Sequence, residues 1–69
     1  MLSYISKEGI KAIAAPRLAI DATNNGIEMK QSRPLWKVGF KVQDEFGAIY
    51  WMDRPEFEYE FVRYKRGFK

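Results

Sequence analysis

The chain has 69 residues, a formal net charge of +3 from 12 Lys and Arg against 9 Asp and Glu, and neither His nor Cys. That length makes one small domain, residues 1–69, which hides only roughly 60% of the surface its unfolded chain exposes. Without Cys there is no disulfide and no thiolate metal site, and without His the commonest metal ligand and acid–base side chain is missing too.

A domain this small usually needs a staple. Aromatic packing can supply one, since 16% of the residues are Phe, Tyr or Trp and each buries about 150–250 Å². Self-association into a homo-oligomer is the other route. No apolar run approaches the ~20 residues of a membrane-spanning helix, and Lys7 and Glu8 interrupt the apolar N-terminus where a signal peptide would need a continuous core. We therefore expect no membrane partner and a cytoplasmic location, with which the lack of Cys agrees. The modest positive charge serves solubility first, and a nucleic acid or an acidic protein as partner second.

Near the N-terminus, Lys7-Glu8-Gly9 reads as a turn between strands Ser3–Ser6 and Ile10–Ala14. Ile10, Ala12 and Ala14 would then share one face, and Lys11 and Ile13 the other. The rival is a helix over residues 7–15 capped by Ser6, which Gly9 penalises by about 1 kcal/mol. Pro16 forces Ala15 into an extended conformation and can open a helix. We read Arg17–Thr23 as two helical turns with Leu18 and Ala22 on one side and Asn25-Gly26 as the left-handed cap. The rival here is a hairpin, in which Leu18, Ile20 and Ala22 alternate, Asn24-Asn25-Gly26 turns, and Ile27 and Met29 return. Ile27–Pro34 is polar and ends in a proline, so it is a connector or an edge strand.

From Trp36 the pattern sharpens. Trp36, Val38, Phe40 and Val42 alternate with Lys37, Gly39, Lys41 and Gln43, a half-buried strand with a lysine-bearing outer face. Asp44-Glu45-Phe46-Gly47 is a hairpin loop, and Ala48–Met52 is the return strand. Asp53 with Glu56 three residues on has the form of a capping box, and Pro55 suits a first helical turn. That predicts a short helix carrying Phe57, Phe61 and Tyr64 on one face. Against it, Glu56, Glu58 and Glu60 alternate with Phe57, Tyr59 and Phe61 as in a strand. The basic tail, Arg63–Lys69, is expected to fray. The fold class these elements predict is α+β: a small antiparallel sheet centred on a 36–52 hairpin, with one or two short helices.

Two stretches resemble a recurrent type of small bacteriophage or prophage accessory protein. The first is Tyr4-Ile5, the segment Ile10–Ala14 and then Ala14-Ala15-Pro16. The second is Val38–Val42, the acidic Gly-containing turn Asp44–Gly47, Trp51, and the proline-marked cap running into Phe57-Glu58-Tyr59-Glu60-Phe61. Together they cover about half the chain. The cap proline falls one position later than in that type, and Leu18–Arg33 has no counterpart. The resemblance implies a phage origin and supports the capped helix. It also implies a role common to such proteins, inhibiting or redirecting a host factor, with immune effectors and their nucleotide signals among the targets.

The residues themselves offer no catalytic constellation. Ser3, Ser6 and Ser32 lie in no nucleophile-elbow context, and there is no phosphate-binding glycine loop. Asp44/Glu45 and Glu56/Glu58/Glu60 read as a solvated turn and a solvated face. We expect no enzyme, no catalytic or metal-binding residue and no cofactor. The expected binding contacts are Trp36, Lys37, Lys41, Tyr50, Arg63, Lys65 and Arg66. A host protein is the leading partner, as the resemblance implies; Trp, Tyr, Phe, Met and Arg are also the residue types enriched at interface anchors. The alternative is nucleic acid, with the lysines and the tail following phosphates and aromatics stacking on bases. Against stacking, a chain with few aliphatic residues needs its aromatics in the core.

Overall fold

The computed structural model describes residues 2–64. They form strands β1 (Leu2–Ser6) and β2 (Lys11–Leu18), helix α1 (Ala19–Asn24), strands β3 (Glu28–Met29), β4 (Val38–Asp44) and β5 (Ile49–Asp53), helix α2 (Arg54–Glu60) and strand β6 (Phe61–Arg63). The strands make one sheet in the order β3-β5-β4-β2-β1-β6. The α+β class is as expected, but the sheet is mixed rather than antiparallel, because β3 runs parallel to β5. Its longest seam is β2 against β4, with Ala12–Leu18 opposite Val38–Asp44. The hairpin therefore flanks the centre instead of forming it.

The β1–β2 turn explains why the N-terminus is not a helix. Ser6 accepts backbone hydrogen bonds on its hydroxyl from Glu8 (3.2 Å) and Ile10 (3.0 Å), and Gly9 takes the positive φ of 87° that closes the turn. A serine hydroxyl bonded to nearby amides favours turns over helix interiors. Ala12 and Ala14 are buried and Lys11 and Ile13 face solvent, the division their alternation predicts.

Pro16 does not start a helix. Strand β2 continues through it to Leu18, and α1 begins only at Ala19. Proline is tolerated in a sheet where its missing N–H is not needed. Three residues on, the Ala19 N–H donates to Lys37 O at 2.8 Å, so by the two-residue period the amide at position 16 points away from β4. On that side β1 pairs back only as far as Ala14. Leu18, expected inside the helix, ends the strand and is exposed, while Ala19 and Ala22 are the buried helical residues. No side chain caps the start of α1. Instead the Ala19 and Ile20 amides donate to the carbonyls of Lys37 and Leu35. At the other end Gly26 (φ 70°) donates to Thr23 O and Ile27 to Ala22 O, the paired bonds of a Schellman cap.

Trp36 is not part of the hairpin strand. Lys37 N–H donates to Pro34 O at 3.0 Å, a turn that lifts Leu35 and Trp36 out of the ladder, and β4 starts at Val38. The Asp44–Gly47 loop forms as expected. Asp44 Oδ1 accepts from the Phe46 and Ala48 amides, and Gly47 has a φ of 91°. The resulting register sets Gln43 opposite Ile49 and Val42 opposite Tyr50, so Tyr50 and Met52 join Phe40 and Val42 on one face. Ile49 and Trp51 lie on the other face with Lys41 and Gly39. A Cβ at Gly39 would run into the Trp51 indole and the Met52 carbonyl, so glycine is what lets the ring lie flat on the strand.

Helix α2 forms, but not through a capping box. Asp53 Oδ1 accepts from Arg54 N–H at 2.8 Å, while the Asp53 amide donates to Gln31 Oε1 and Glu56 reaches Arg33 instead. The helix stops at Glu60, and the chain returns as β6 along β1, pairing Tyr4 with Arg63 and Ser6 with Phe61. The helical face of Phe57, Phe61 and Tyr64 is therefore broken after Phe57. Arg63 is tied into the sheet rather than fraying, because β1 offers an open edge: Lys7 N–H donates to Glu60 O and Tyr64 N–H to Ser3 O, both at 2.9 Å. Lys65 and Arg66 lie outside the described residues.

One helix covers part of each face. On the α2 side the core is Ala12, Ala14, Val42, Met52, Phe57 and Phe61. Phe57 is its hub, stacked on Phe40 at 4.3 Å and Phe61 at 5.0 Å and edge-on to Tyr4 at 4.8 Å. On the α1 side Ala19, Ala22 and Trp51 form a smaller cluster. No helix among the described residues is long and apolar enough to cross a membrane.

Candidate functional site

The residues expected to bind do not converge on one surface. Trp36 and Lys37 come together at the end of the sheet where β4 begins, the Lys37 Nζ standing 5.9 Å from the Trp36 ring centre. Lys41 lies on the Trp51 face of the sheet and Tyr50 on the opposite one. Arg63 sits on β6, the far edge. No continuous lysine face links Lys37, Lys41 and Arg63.

Trp36 has the environment of an anchor. Its side chain is 72% exposed. With Lys37, Val38, Arg54, Pro55 and Glu58 it lines a shallow depression. Val38 is 52% exposed and stands across from Leu18, itself exposed, so the strand ends add aliphatic surface beside the indole. The Leu35 backbone holds the start of α1, and its side chain is exposed as well. Arg54 is neutralised by Glu58, Nε to Oε2 at 2.9 Å, and that bond and charge raise its pKa further above the usual value. Lys37 is in no ion pair among the described residues. Among the described residues, the apolar end thus carries one positive charge outside any ion pair, that of Lys37.

Tyr50 faces a different environment. It lines a depression of about 430 Å³, with Glu8, Glu28, Asp44 and Glu60 around it, and Lys30 Nζ 4.9 Å from its ring. Burial, and then the nearby charges of Asp44 and Glu60, raise the phenol above its usual pKa of 10.0. This concave side is acidic, in contrast to the molecule's net charge.

Lys41 has Arg17 as its neighbour, which sequence reading assigned to a helix start. Both line a crease beside α1 with Asn25, Ile27 and Ile49. Sequence reading also passed over Arg33, which joins the central loop to α2: its Nε donates to Asp53 Oδ2 at 2.6 Å and its Nη2 to Glu56 Oε2 at 3.0 Å. Phe46, at the hairpin tip, is 77% exposed. Tyr59 lies under the Lys7 ammonium. No local signal marks Arg17 or Arg33, because what pairs them with Lys41 and Asp53 is the register of distant segments.

No protein-family model, curated protein or solved structure matches the chain.

Proposed function

We propose that this chain is a non-enzymatic phage accessory protein that docks on a host protein in the host cytoplasm and inhibits or redirects it, as in counter-defence. The observation that carries the docking reading is the exposed Trp36 set among Val38, Leu18 and Pro55 with Lys37 at its rim. A tryptophan buries about 150–250 Å² when it is covered, at roughly 25 cal/mol per Å², and tryptophans head the residue types that dominate interface energies. Turned toward water, that surface contributes nothing to the fold. The partner that fits has an apolar socket for the indole and a carboxylate facing Lys37. The lack of His and Cys and the likeness to phage accessory proteins support the non-enzymatic, host-directed part.

The test is a comparison of variants. Tagged wild-type protein and Lys41→Gln should retain the same partner from bacterial lysate, and Trp36→Ala should lose it. With the purified partner, Trp36→Ala should weaken affinity by about 30-fold or more, the range of a 2 kcal/mol anchor. Recovery of no specific partner, or retention unchanged by Trp36→Ala, would sink the reading.

Nucleic-acid binding keeps one supporting observation of its own. Lys11, Arg17 and Lys41 share the sheet face that α1 leaves partly open.

A further inference from the structure

The crease beside α1 gathers two cationic groups that have no ion-pair partner among the described residues. Arg17 stands opposite Gly39 and Lys41 opposite Ala15 on antiparallel strands. The two are therefore diagonal neighbours on one face, their Cα atoms about 7–8 Å apart. Neither forms an ion pair among the described residues. Asp53, the one carboxylate that β4 and β5 direct toward this face, is already held by Arg33. The Arg17 Nε is buried and has no hydrogen-bond acceptor. A buried charged donor with nothing to donate to is costly, and such a group calls for an acceptor from solvent or a ligand.

The surroundings are tied to the sheet and to α1 by hydrogen bonds and packing. The Trp51 Nε1–H donates to Arg17 O at 2.9 Å. Trp51 lies directly opposite Lys41 and over Gly39, where no side chain competes for the space. Asn25 is fixed by the α1 cap, its Nδ2 donating to Asp21 O. Together Arg17, Lys41, Asn25, Ile27 and Ile49 enclose about 320 Å³, space for a small anionic group with an apolar edge for what it is attached to.

We propose that this crease binds a phosphate monoester, free or as the terminal phosphate of a nucleotide, with Arg17 donating from its guanidinium and Lys41 supplying a second positive charge. The charge count selects the class. A monoester carries about −1.5 to −2 at neutral pH and matches two cations, whereas a carboxylate or an internal phosphodiester carries one charge and leaves one cation uncompensated. The guanidinium supplies directed donors and the ammonium a compact charge. The crease lies apart from Trp36, and the inference stands independently of the docking reading.

The experiment is an NMR titration of the full chain observing the Arg17 Nε–Hε signal, with inorganic phosphate, adenosine monophosphate, and one single-stranded oligonucleotide with and without a 5′-phosphate. Phosphate and the mononucleotide should shift that signal saturably, together with the Asn25 amide. Lys41→Gln should weaken mononucleotide binding at least about tenfold. Arg17→Lys, which keeps the charge but removes the Nε–H, should weaken it too, while Trp36→Ala should leave it unchanged. Both crease variants sit on strand residues with partly exposed side chains, and a melting curve close to the wild type's shows that they are folded. No saturable shift at Arg17, or wild-type binding by Lys41→Gln and Arg17→Lys, overturns the proposal. So does equal binding of the oligonucleotide lacking the 5′-phosphate, which would make the crease a site for nucleic-acid backbone instead.

Discussion

Gly39 shows how much one position decides. It allows Trp51 to lie against β4, and through the indole N–H bond to Arg17 O it links three consecutive strands of the sheet. A methyl group there meets an indole on one side and backbone on the other, and backbone cannot yield without moving the β4–β5 ladder. Gly39→Ala should cost about 1–3 kcal/mol, the usual range for overpacking, seen as a lower urea midpoint with changed near-ultraviolet dichroism from Trp51. Wild-type stability in that variant would mean that the ring has room to move. Tyr50 makes a second prediction from its raised pKa. The phenol is harder to ionise in the folded state than in the unfolded one. Its contribution is fully present below the ordinary value of 10.0 and is lost as pH climbs through the folded-state pKa, because the unfolded chain gives up its proton first. In an absorbance titration of phenol ionisation, Tyr50 should ionise late, and Tyr50→Phe should remove that late phase. Loss of stability above pH 10 should be smaller in Tyr50→Phe than in the wild type.

Among the elements, α2 separates local from distant causes. The spacing of Asp53 and Glu56 suggests a capping box, yet the Asp53 amide is satisfied by Gln31 and Glu56 is turned toward Arg33. Asp53 is almost wholly buried, and Arg33 is its ion-pair partner. Arg33→Gln should therefore cost about 3 kcal/mol, the lower end for breaking a buried pair, while Glu56→Gln should cost well under 1 kcal/mol because Glu56 is partly exposed. Chemical denaturation of the two variants checks this, and equal losses would restore the capping box. The same division runs through the chain. Lys7-Glu8-Gly9, Asn25-Gly26 and Asp44–Gly47 were legible because a turn is chosen by the residues inside it. Strand β6 was not, because Phe61–Arg63 becomes a strand only where β1 has a free edge. Nor was the parallel pairing of β3, nor the strand through Pro16, whose amide direction is set by its register on β4. The binding surfaces divide in the same way. Trp36, Lys37 and Lys41 stand out by residue type, whereas Leu18 beside Val38 and Arg17 beside Lys41 depend on a pairing of segments distant in sequence.

At the scale of the whole molecule, the question is what holds a chain of 69 residues without a disulfide. The geometry answers with Phe57. Its ring meets Tyr4 from β1, Phe40 from β4 and Phe61 from β6, so it joins both ends of the chain to the sheet's centre. The β2 residues beneath it are only alanines, Ala12 and Ala14, too small to fill the space if the ring is removed. Truncation of a buried Phe to Ala costs about 3–5 kcal/mol, and a domain of this length has roughly 3–10 kcal/mol in total. Phe57→Ala should therefore have lost most of its cooperative thermal transition at room temperature, while Phe57→Leu should keep one at a lower midpoint. The Trp51 cluster on the opposite face tests whether the two sides form one unit. Trp51 and Met52 are adjacent in β5 yet belong to different clusters, so neither cluster can loosen without moving the strand they share. The change in tryptophan emission on unfolding, which comes mainly from buried Trp51 because Trp36 is already largely in water, should follow the same denaturation curve as the far-ultraviolet signal, and Phe57→Ala should shift both together. Two separated curves would show that the α1 side unfolds on its own and that Phe57 holds only one face of the sheet.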